Sequence, residues 1–450
     1  MLNVETNMKR TPTLHTRRQF LRTSALGAAA SWTLPLFLER TFFALNALAA
    51  DALTQPVTGK DGNILVVLQL AGGNDGLNTV VPFADDAYYR ARPKLGLPAD
   101  KILKLDQYAG LNAHLTGLKS LFDDGHLGVV QGVGYPNPNR SHFRSTEIWQ
   151  TGSDADRVES EGWLGRYFDN CCSGADPTVG VAIGQEMPQA FAAKNPTGVT
   201  FSRPEQYRWR SAGPNRAGMS REEMFFRQLN DPSSEAVDSD ATEGNSVSAL
   251  SGSNTTGVGT LDFLQRTALD AQLSSDKILA ISRQYKSTVT YPQGQLAASL
   301  NIIARMIAGG LPTRVYYASQ GGFDTHAGQM FAHERLMGEL DAALSAFVAD
   351  LKQQNNFGRV LIMTFSEFGR RVTENANGGT DHGAAAPMFI AGGAIKPGLF
   401  GKHPSLTDLD RGDLKFNTDF RSVYGTILDQ WLKAPSQLVL GRKFPALKLV

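Results

Sequence analysis

The chain has 450 residues, with 44 Lys and Arg against 43 Asp and Glu and a formal net charge of +1. That balance excludes the strong basic field on which nucleic-acid or anionic-membrane binding relies. The only cysteines, Cys171 and Cys172, are adjacent, which excludes a disulfide framework and a zinc-thiolate site; two buried thiols are expected rather than a strained vicinal disulfide.

At the N-terminus, Thr16-Arg17-Arg18-Gln19-Phe20-Leu21-Arg22 sets paired arginines immediately before an apolar run. This is the pattern of a twin-arginine export signal, and its Arg-Arg-x-Phe-Leu core favours it over an ordinary Ala-rich leader for unfolded secretion. Pro35, Glu39 and Arg40 break the apolar run, so it makes a poor spanning helix. Ala47-Leu48-Ala49 supplies a cleavage site, which makes residues 1–49 the signal and starts the mature protein near Ala50 or Asp51. The expected location is periplasmic or extracellular, with no membrane span after cleavage. Twin-arginine passengers cross folded, which suits a protein whose metal is inserted first. Without the leader, 38 basic residues face 41 acidic ones, and residues 50–450 are long enough for one large domain.

Asn63 to Leu70 is a nearly continuous apolar run ending in Ala71-Gly72-Gly73-Asn74-Asp75-Gly76, as expected of a strand buried on both faces and closed by a polar turn. Shorter strands are expected at Leu127 to Val133 and Pro387 to Ala391. The first pattern recurs at Arg314 to Ala318, followed by Gly321-Gly322-Phe323-Asp324-Thr325-His326, and at Arg359 to Phe365, followed by Ser366-Glu367-Phe368-Gly369-Arg370. Each of these three strands delivers a carboxylate just past its C-terminal end. Leu296, Leu300, Ile303 and Ile307 step at helical spacing, as do Leu336, Leu340, Leu344, Phe347 and Leu351, and Phe420, Val423, Ile427, Leu428 and Trp431. Strands alternating with helices imply an α/β fold on a largely parallel sheet, whose functional crevice lies at the carboxyl ends of the strands. Residues 231–259 are rich in Ser, Thr, Gly, Asn and Asp and are read as a flexible linker preceding a helical segment from Leu261 to Tyr285.

The glycine turn before Asp75 lacks the Gly-x-Gly-x-x-Gly spacing of a dinucleotide loop, and its aspartate would repel phosphate; it suits an oxygen ligand to a cation. Asp324 and His326 project to the same side of an extended segment, at metal-ligand spacing, although Asp324 as a cap for the following helix accounts for the same residues. His333 falls on that helix's apolar face and is expected to pack in the core. Gly379-Thr380-Asp381-His382-Gly383 offers a second Asp/His pair or a solvated loop. Ser141, in Asn137-Pro138-Asn139-Arg140-Ser141-His142-Phe143, opens a helix and is a candidate nucleophile or a plain N-cap. A Ser/His/Asp hydrolase is the competing catalytic idea, but the chain has no Gly-x-Ser-x-Gly elbow.

Taken together, the leader, Leu70-Ala71-Gly72-Gly73-Asn74-Asp75-Gly76, Ser141-His142-Phe143, Gly322-Phe323-Asp324-Thr325-His326, Ser366-Glu367-Phe368-Gly369-Arg370, Gly379-Thr380-Asp381-His382-Gly383 and Thr418-Asp419-Phe420-Arg421 resemble an exported bacterial family, domain of unknown function 1501. That family is similar to the alkaline phosphatase and sulfatase superfamily, whose members bind one or two metals at strand ends and attack phosphate or sulfate with Ser, Thr or a modified Cys. The resemblance implies a three-layer α/β sandwich around a mostly parallel sheet. It also implies Asp75 as the first-strand metal aspartate, Ser141 as nucleophile, Asp324 and His326 as the Asp/His pair, here spaced by one residue, and His382 as the final metal histidine. Glu367 and Phe368 stand where the superfamily has an Asp-His pair, so one ligand is missing and a single or altered site is as well supported as a pair of metals.

The function expected is metal-assisted hydrolysis of a phosphate or sulfate ester, the substrate being a small molecule or a glycan. Ligands would come from Asp75, Asp324, His326, Glu367, Asp381 and His382, for zinc or manganese ahead of calcium or magnesium. Arg370 or Arg140 would neutralise developing charge beside Ser141. The alternative is a non-catalytic exported binding or scaffold protein on the same fold. That alternative would bind a glycan or an exported partner, and the sequence names no particular protein partner.

Overall fold

A computed structural model describes residues 62–172, 176–195, 197–207 and 274–450. The expected export signal, the expected linker over 231–259 and the first part of the expected helical segment 261–285 lie outside these residues; residues 274–284 are helical.

In chain order the strands are β1 (Ile64–Leu70), β2 (Val80–Val81), β3 (Ile102–Lys104), β4 (Gly110–Asn112), β5 (Leu127–Gly134), β6 (Gly180–Ile183) and β7 (Val199–Phe201). After the helix Gln295–Ala308 come β8 (Val315–Gln320), the 25-residue helix Gln329–Gln353, β9 (Val360–Phe365), β10 (Ala386–Gly392), β11 (Gly398–Phe400), β12 (Leu409–Asp410), β13 (Asp413–Leu414) and β14 (Thr418–Asp419). Nine of them form one sheet in the order β11-β5-β10-β9-β1-β8-β6-β7, with β14 added beside β5. Every pairing in it is parallel except the two made by β10. The short strands β6, β7, β11 and β14 carry too little periodicity to be read from the sequence.

The unbroken apolar run of β1 follows from its central place. Ile64, Val66, Leu68 and Leu70 pack into one core with the helices Thr116–Asp123, Gln295–Ala308 and Gln329–Gln353. Leu65 and Val67 face a second core with the helices His142–Thr151, Trp163–Cys171 and Phe420–Thr426. Side chains that alternate across a strand thereby serve two cores, giving the three-layer α/β sandwich. Each such buried side chain contributes about 1.5–3 kcal/mol. Both cysteines are free; Cys172 is buried, whereas Cys171, at the end of its helix, is only partly so.

Because β1 lies between β8 and β9 and runs parallel to both, the turns after all three strands meet at one edge of the sheet. The antiparallel β10 begins at that same edge, which places the preceding 379–383 loop there. The chain leaving β5 also arrives there and enters the helix His142–Thr151.

Candidate metal centre

Among the described residues, His142, Asp324 and His382 each offer a ligand atom, and these atoms lie within 4.8 Å of one another. His382 Nε2 is 3.0 Å from Asp324 Oδ1, and His142 Nε2 is 3.4 Å from Asp324 Oδ2. His326 joins the group, its Nε2 3.1 Å from Asp324 Oδ1 and 2.9 Å from His382 Nε2.

The second nitrogen of two of these rings is engaged from behind. His142 Nδ1 is 2.8 Å from Glu367 Oε1, and His382 Nδ1 is 2.8 Å from the backbone carbonyl of Arg140. A carboxylate and a carbonyl only accept, so each Nδ1 donates and each Nε2 keeps its lone pair. His142 Nε2 is buried and has no hydrogen-bond partner. Lone pairs turned toward one another and toward a carboxylate repel unless a metal ion, or a proton on a ring nitrogen, lies between them. Ligands about 2.0–2.1 Å from a tetrahedral zinc lie roughly 3.3 Å apart, close to the individual contacts of 2.9 to 3.4 Å, although the three ligand atoms together span up to 4.8 Å. The donor set, imidazole nitrogen with a single carboxylate, suits zinc and not the oxygen-seeking calcium or magnesium.

Phe368 forms the wall of the site. Its ring lies 4.9 Å from that of His142 and 4.5 Å from that of His382, which fixes both imidazoles. Gly73, at φ 78°, makes room for it: a Cβ there would sit 2.3 Å from the Phe368 ring. Gly72, at φ 120°, lets the first turn approach the Asp324 backbone, where a Cβ would come within 2.5 Å of Asp324 N. Burial pushes the Asp324 carboxyl up, but the hydrogen bond and charge of Arg370 outweigh it and hold the group below the ordinary carboxylate range.

Of the residues expected to be ligands, Asp324, His326 and His382 converge. Glu367 is at the site but behind it, accepting from Gly72 N–H at 2.8 Å as well as from His142. Asp381 lies outside the cluster, its carboxylate 3.5 Å from His326 Nδ1 and 3.2 Å from the Asn375 amide. Asp75 belongs to a separate buried pair: Arg92 Nη1 is 2.5 Å from its Oδ2, Gln329 donates to the same oxygen, and Leu77 N–H caps Oδ1 at 3.2 Å. Burial pushes Asp75 up, and the Arg92 charge and hydrogen bond more than offset this, so its pKa is lowered. With Arg92 as its cation, Asp75 supports the site through Gln329, whose other end accepts from Thr325 and Thr380.

Arg370, expected to face developing charge, is a buried clamp. It donates to the carbonyls of Gly72, Gly73, Phe323 and Thr380 and, at 2.8 Å, to Asp324 Oδ1, tying the three turns together. Arg140 pairs with Asp413, Nε to Oδ2 at 2.7 Å. Ser141 occupies the N-cap position of the helix His142–Thr151, but its side chain makes no capping bond and is exposed. His142 was missed in the sequence, where the neighbouring hydroxyl took the attention; the signal was its place in the motif Ser141-His142-Phe143. His333 is buried as expected, its Nε2 3.1 Å from Asn74 Oδ1.

The fold is similar to that of a protein in the alkaline phosphatase superfamily from Vibrio parahaemolyticus, at 11% identity and a TM-score of 0.34 over 90% of this chain and 77% of that one. It is likewise similar to the PsFucS1 sulfatase from Pseudoalteromonas sp., at 11% identity and a TM-score of 0.33 over 85% of this chain and 68% of that one. A third similar structure is the C-terminal periplasmic domain of EcEptC from Escherichia coli in complex with Zn, at 10% identity and a TM-score of 0.33 over 76% of each chain. No curated protein matches the chain. No helix among the described residues is long and apolar enough to cross a membrane. Residues 63–439 match the model of the family described as protein of unknown function (DUF1501), and the chain belongs to that family.

Proposed function

We propose that the protein is an exported hydrolase of phosphate or sulfate esters that works with one zinc ion held by His142, Asp324 and His382, with His326 beside them. The observation that carries this reading is the buried, unpartnered Nε2 of His142, aimed at the Asp324 carboxylate while Glu367 fixes its other nitrogen. When bound, zinc supplies Lewis-acid polarisation of an ester oxygen.

The residues around the centre favour catalysis over a structural role. Asp324 and His326 have nearly half their side-chain surface open to solvent, 47% and 45%, so substrate can reach the ligands; structural zinc sites are closed. Ser141 stands one residue before a ligand, exposed and free of the capping bond that would occupy its oxygen. From there its hydroxyl serves as nucleophile, with the N-terminal end of the 10-residue helix favouring negative charge beside it. Phe368 supplies an apolar wall that excludes water from one side of the imidazoles. A single cation is supported by Asp75, whose charge Arg92 already meets.

The test is metal analysis of protein purified without chelator, with assays on p-nitrophenyl phosphate and p-nitrophenyl sulfate. About one zinc per chain, turnover lost on chelation and restored by zinc, and loss of both zinc and turnover in Asp324→Asn are the expected results. Ser141→Ala should keep its zinc and lose turnover. Protein that binds no zinc and turns over neither ester overturns this reading in favour of a non-catalytic binding protein.

A further inference from the structure

Two arginines reach the rim of the centre from different loops and share one carboxylate. The backbone carbonyl of Arg140 holds His382 Nδ1, and Arg371 follows the Arg370–His382 β-bridge, its N–H donating to the Asp381 carbonyl at 3.0 Å. Both guanidinium groups turn onto Asp413. Arg140 Nε is 2.7 Å from its Oδ2, and Arg371 Nε is 3.5 Å from its Oδ1. The Asp413 side chain is 2% exposed, whereas those of Arg140 and Arg371 are 33% and 38% exposed.

One buried carboxylate therefore faces two cations; the neighbouring Asp410 has Arg411 as its own partner, and the exposed Asp381 lies within reach of the Arg371 charge. The hydrogen bond to Asp413 orients the Arg140 guanidinium, while the same carboxylate attracts that of Arg371 and offsets part of the charge the two arginines offer a ligand. Arg370 cannot serve this purpose, because its side chain is fully buried and occupied with carbonyls. Arg140 also directly precedes Ser141 and the helix His142–Thr151, whose N-terminal end favours anions on the same side.

We propose that Arg140 and Arg371, braced by Asp413, form an anion-binding subsite that takes a second anionic group of the substrate, which makes the substrate class polyanionic esters. This deepens the ester-hydrolase reading and rests on it for the first anionic group, the one at the imidazole cluster. The planar guanidinium fork matches the oxygens of phosphate and sulfate alike.

The test uses the zinc-loaded mature protein and calorimetric titration with ligands that carry one anionic group or two. The pairs are glucose 1-phosphate against glucose 1,6-bisphosphate, and glucose 6-sulfate against a disulfated glucose. At least one ligand with two anionic groups should bind about tenfold more tightly than its partner with one, as expected of a charge-assisted contact. Arg371→Gln should erase that preference, while Asp413→Asn, which releases the brace's negative charge, should widen it; zinc content and melting temperature report that both variants fold. Opposite directions distinguish a binding role from a structural one. Equal affinities within both pairs, or weakening by both substitutions alike, overturn the subsite. Protein that hydrolyses the esters with one anionic group without any preference keeps the hydrolase and loses the subsite. Protein that prefers the ligands with two anionic groups but hydrolyses none of them keeps the subsite and loses the hydrolase.

Discussion

His142 Nδ1 lies 2.8 Å from Glu367 Oε1, and the opposite nitrogen of the same ring is the buried atom with no partner. A carboxylate behind an imidazole fixes its tautomer and raises its basicity toward a metal, and losing such a partner typically costs ten- to a hundredfold in affinity. Glu367→Gln keeps the shape and removes the charge. It is expected to weaken zinc binding about tenfold, measured by competition with a chromophoric chelator, with little change in melting temperature. Unchanged zinc affinity would show that Glu367 only fills space.

Asp75 and Arg92 form an ion pair with both side chains wholly buried. Removing one partner leaves the other charge uncompensated in a dry interior, at a cost of about 3–5 kcal/mol. Arg92→Met is therefore expected to lower the urea midpoint sharply, and adding Asp75→Asn should recover part of the loss. Asp75→Asn should still bind about one zinc per chain, the stoichiometry proposed above. A variant that folds but has lost its zinc would make Asp75 a ligand.

How much of this was legible beforehand follows from the range of the interactions. Ile64 to Leu70 reads as a strand buried on both faces because the apolar run is itself the signature, and the same holds for β8 and β9. With those strands parallel, Asp324 and Glu367 had to meet, and His382 entered with β10. The Asp75–Arg92 pair was not legible: Arg92 stands in Arg90-Ala91-Arg92-Pro93-Lys94, where nothing marks one basic residue as the inward one. Arg370 and Arg371 pose the same problem. Adjacent residues of an extended segment point to opposite sides, and only the Arg370–His382 bridge decides which is buried. His142 was in view, since three of the chain's eight histidines meet at the centre, but its neighbour Ser141 offered a more familiar role.

The paired arginines of the proposed leader give a prediction that does not depend on the site. Replacing both Arg17 and Arg18 by Lys preserves charge and removes the feature read by the twin-arginine receptor. Unprocessed precursor is expected to accumulate in the cytoplasm, detected by fractionation and by the mass of the uncleaved chain. Normal export of the double variant would leave the leader as an ordinary secretion signal.

His333 gives the fold acid sensitivity through a buried ring, as does His403, whose pKa burial also lowers. Burial pushes its pKa down to about 4, against an ordinary 6.5; nearby Asp75 pulls it up, while Arg92 and Arg370 push it down further. The folded protein therefore holds the ring neutral where the unfolded chain would already take up a proton. Above about pH 6.5 both states are neutral and the group contributes no pH dependence. As the pH falls from about 6.5 toward 4, the unfolded state binds more protons, and stability should fall by about 1.4 kcal/mol per pH unit, roughly 3 kcal/mol over the window. Asp75 adds to this only at lower pH, since its own pKa lies below the ordinary carboxylate value. In His333→Gln the amide keeps a hydrogen bond to Asn74 but cannot titrate, so the curve of unfolding free energy between pH 6.5 and 4 should flatten, measured by urea denaturation at half-unit steps. If the variant and the parent lose stability in parallel across that window, the acid sensitivity lies elsewhere and His333 is a packing residue only.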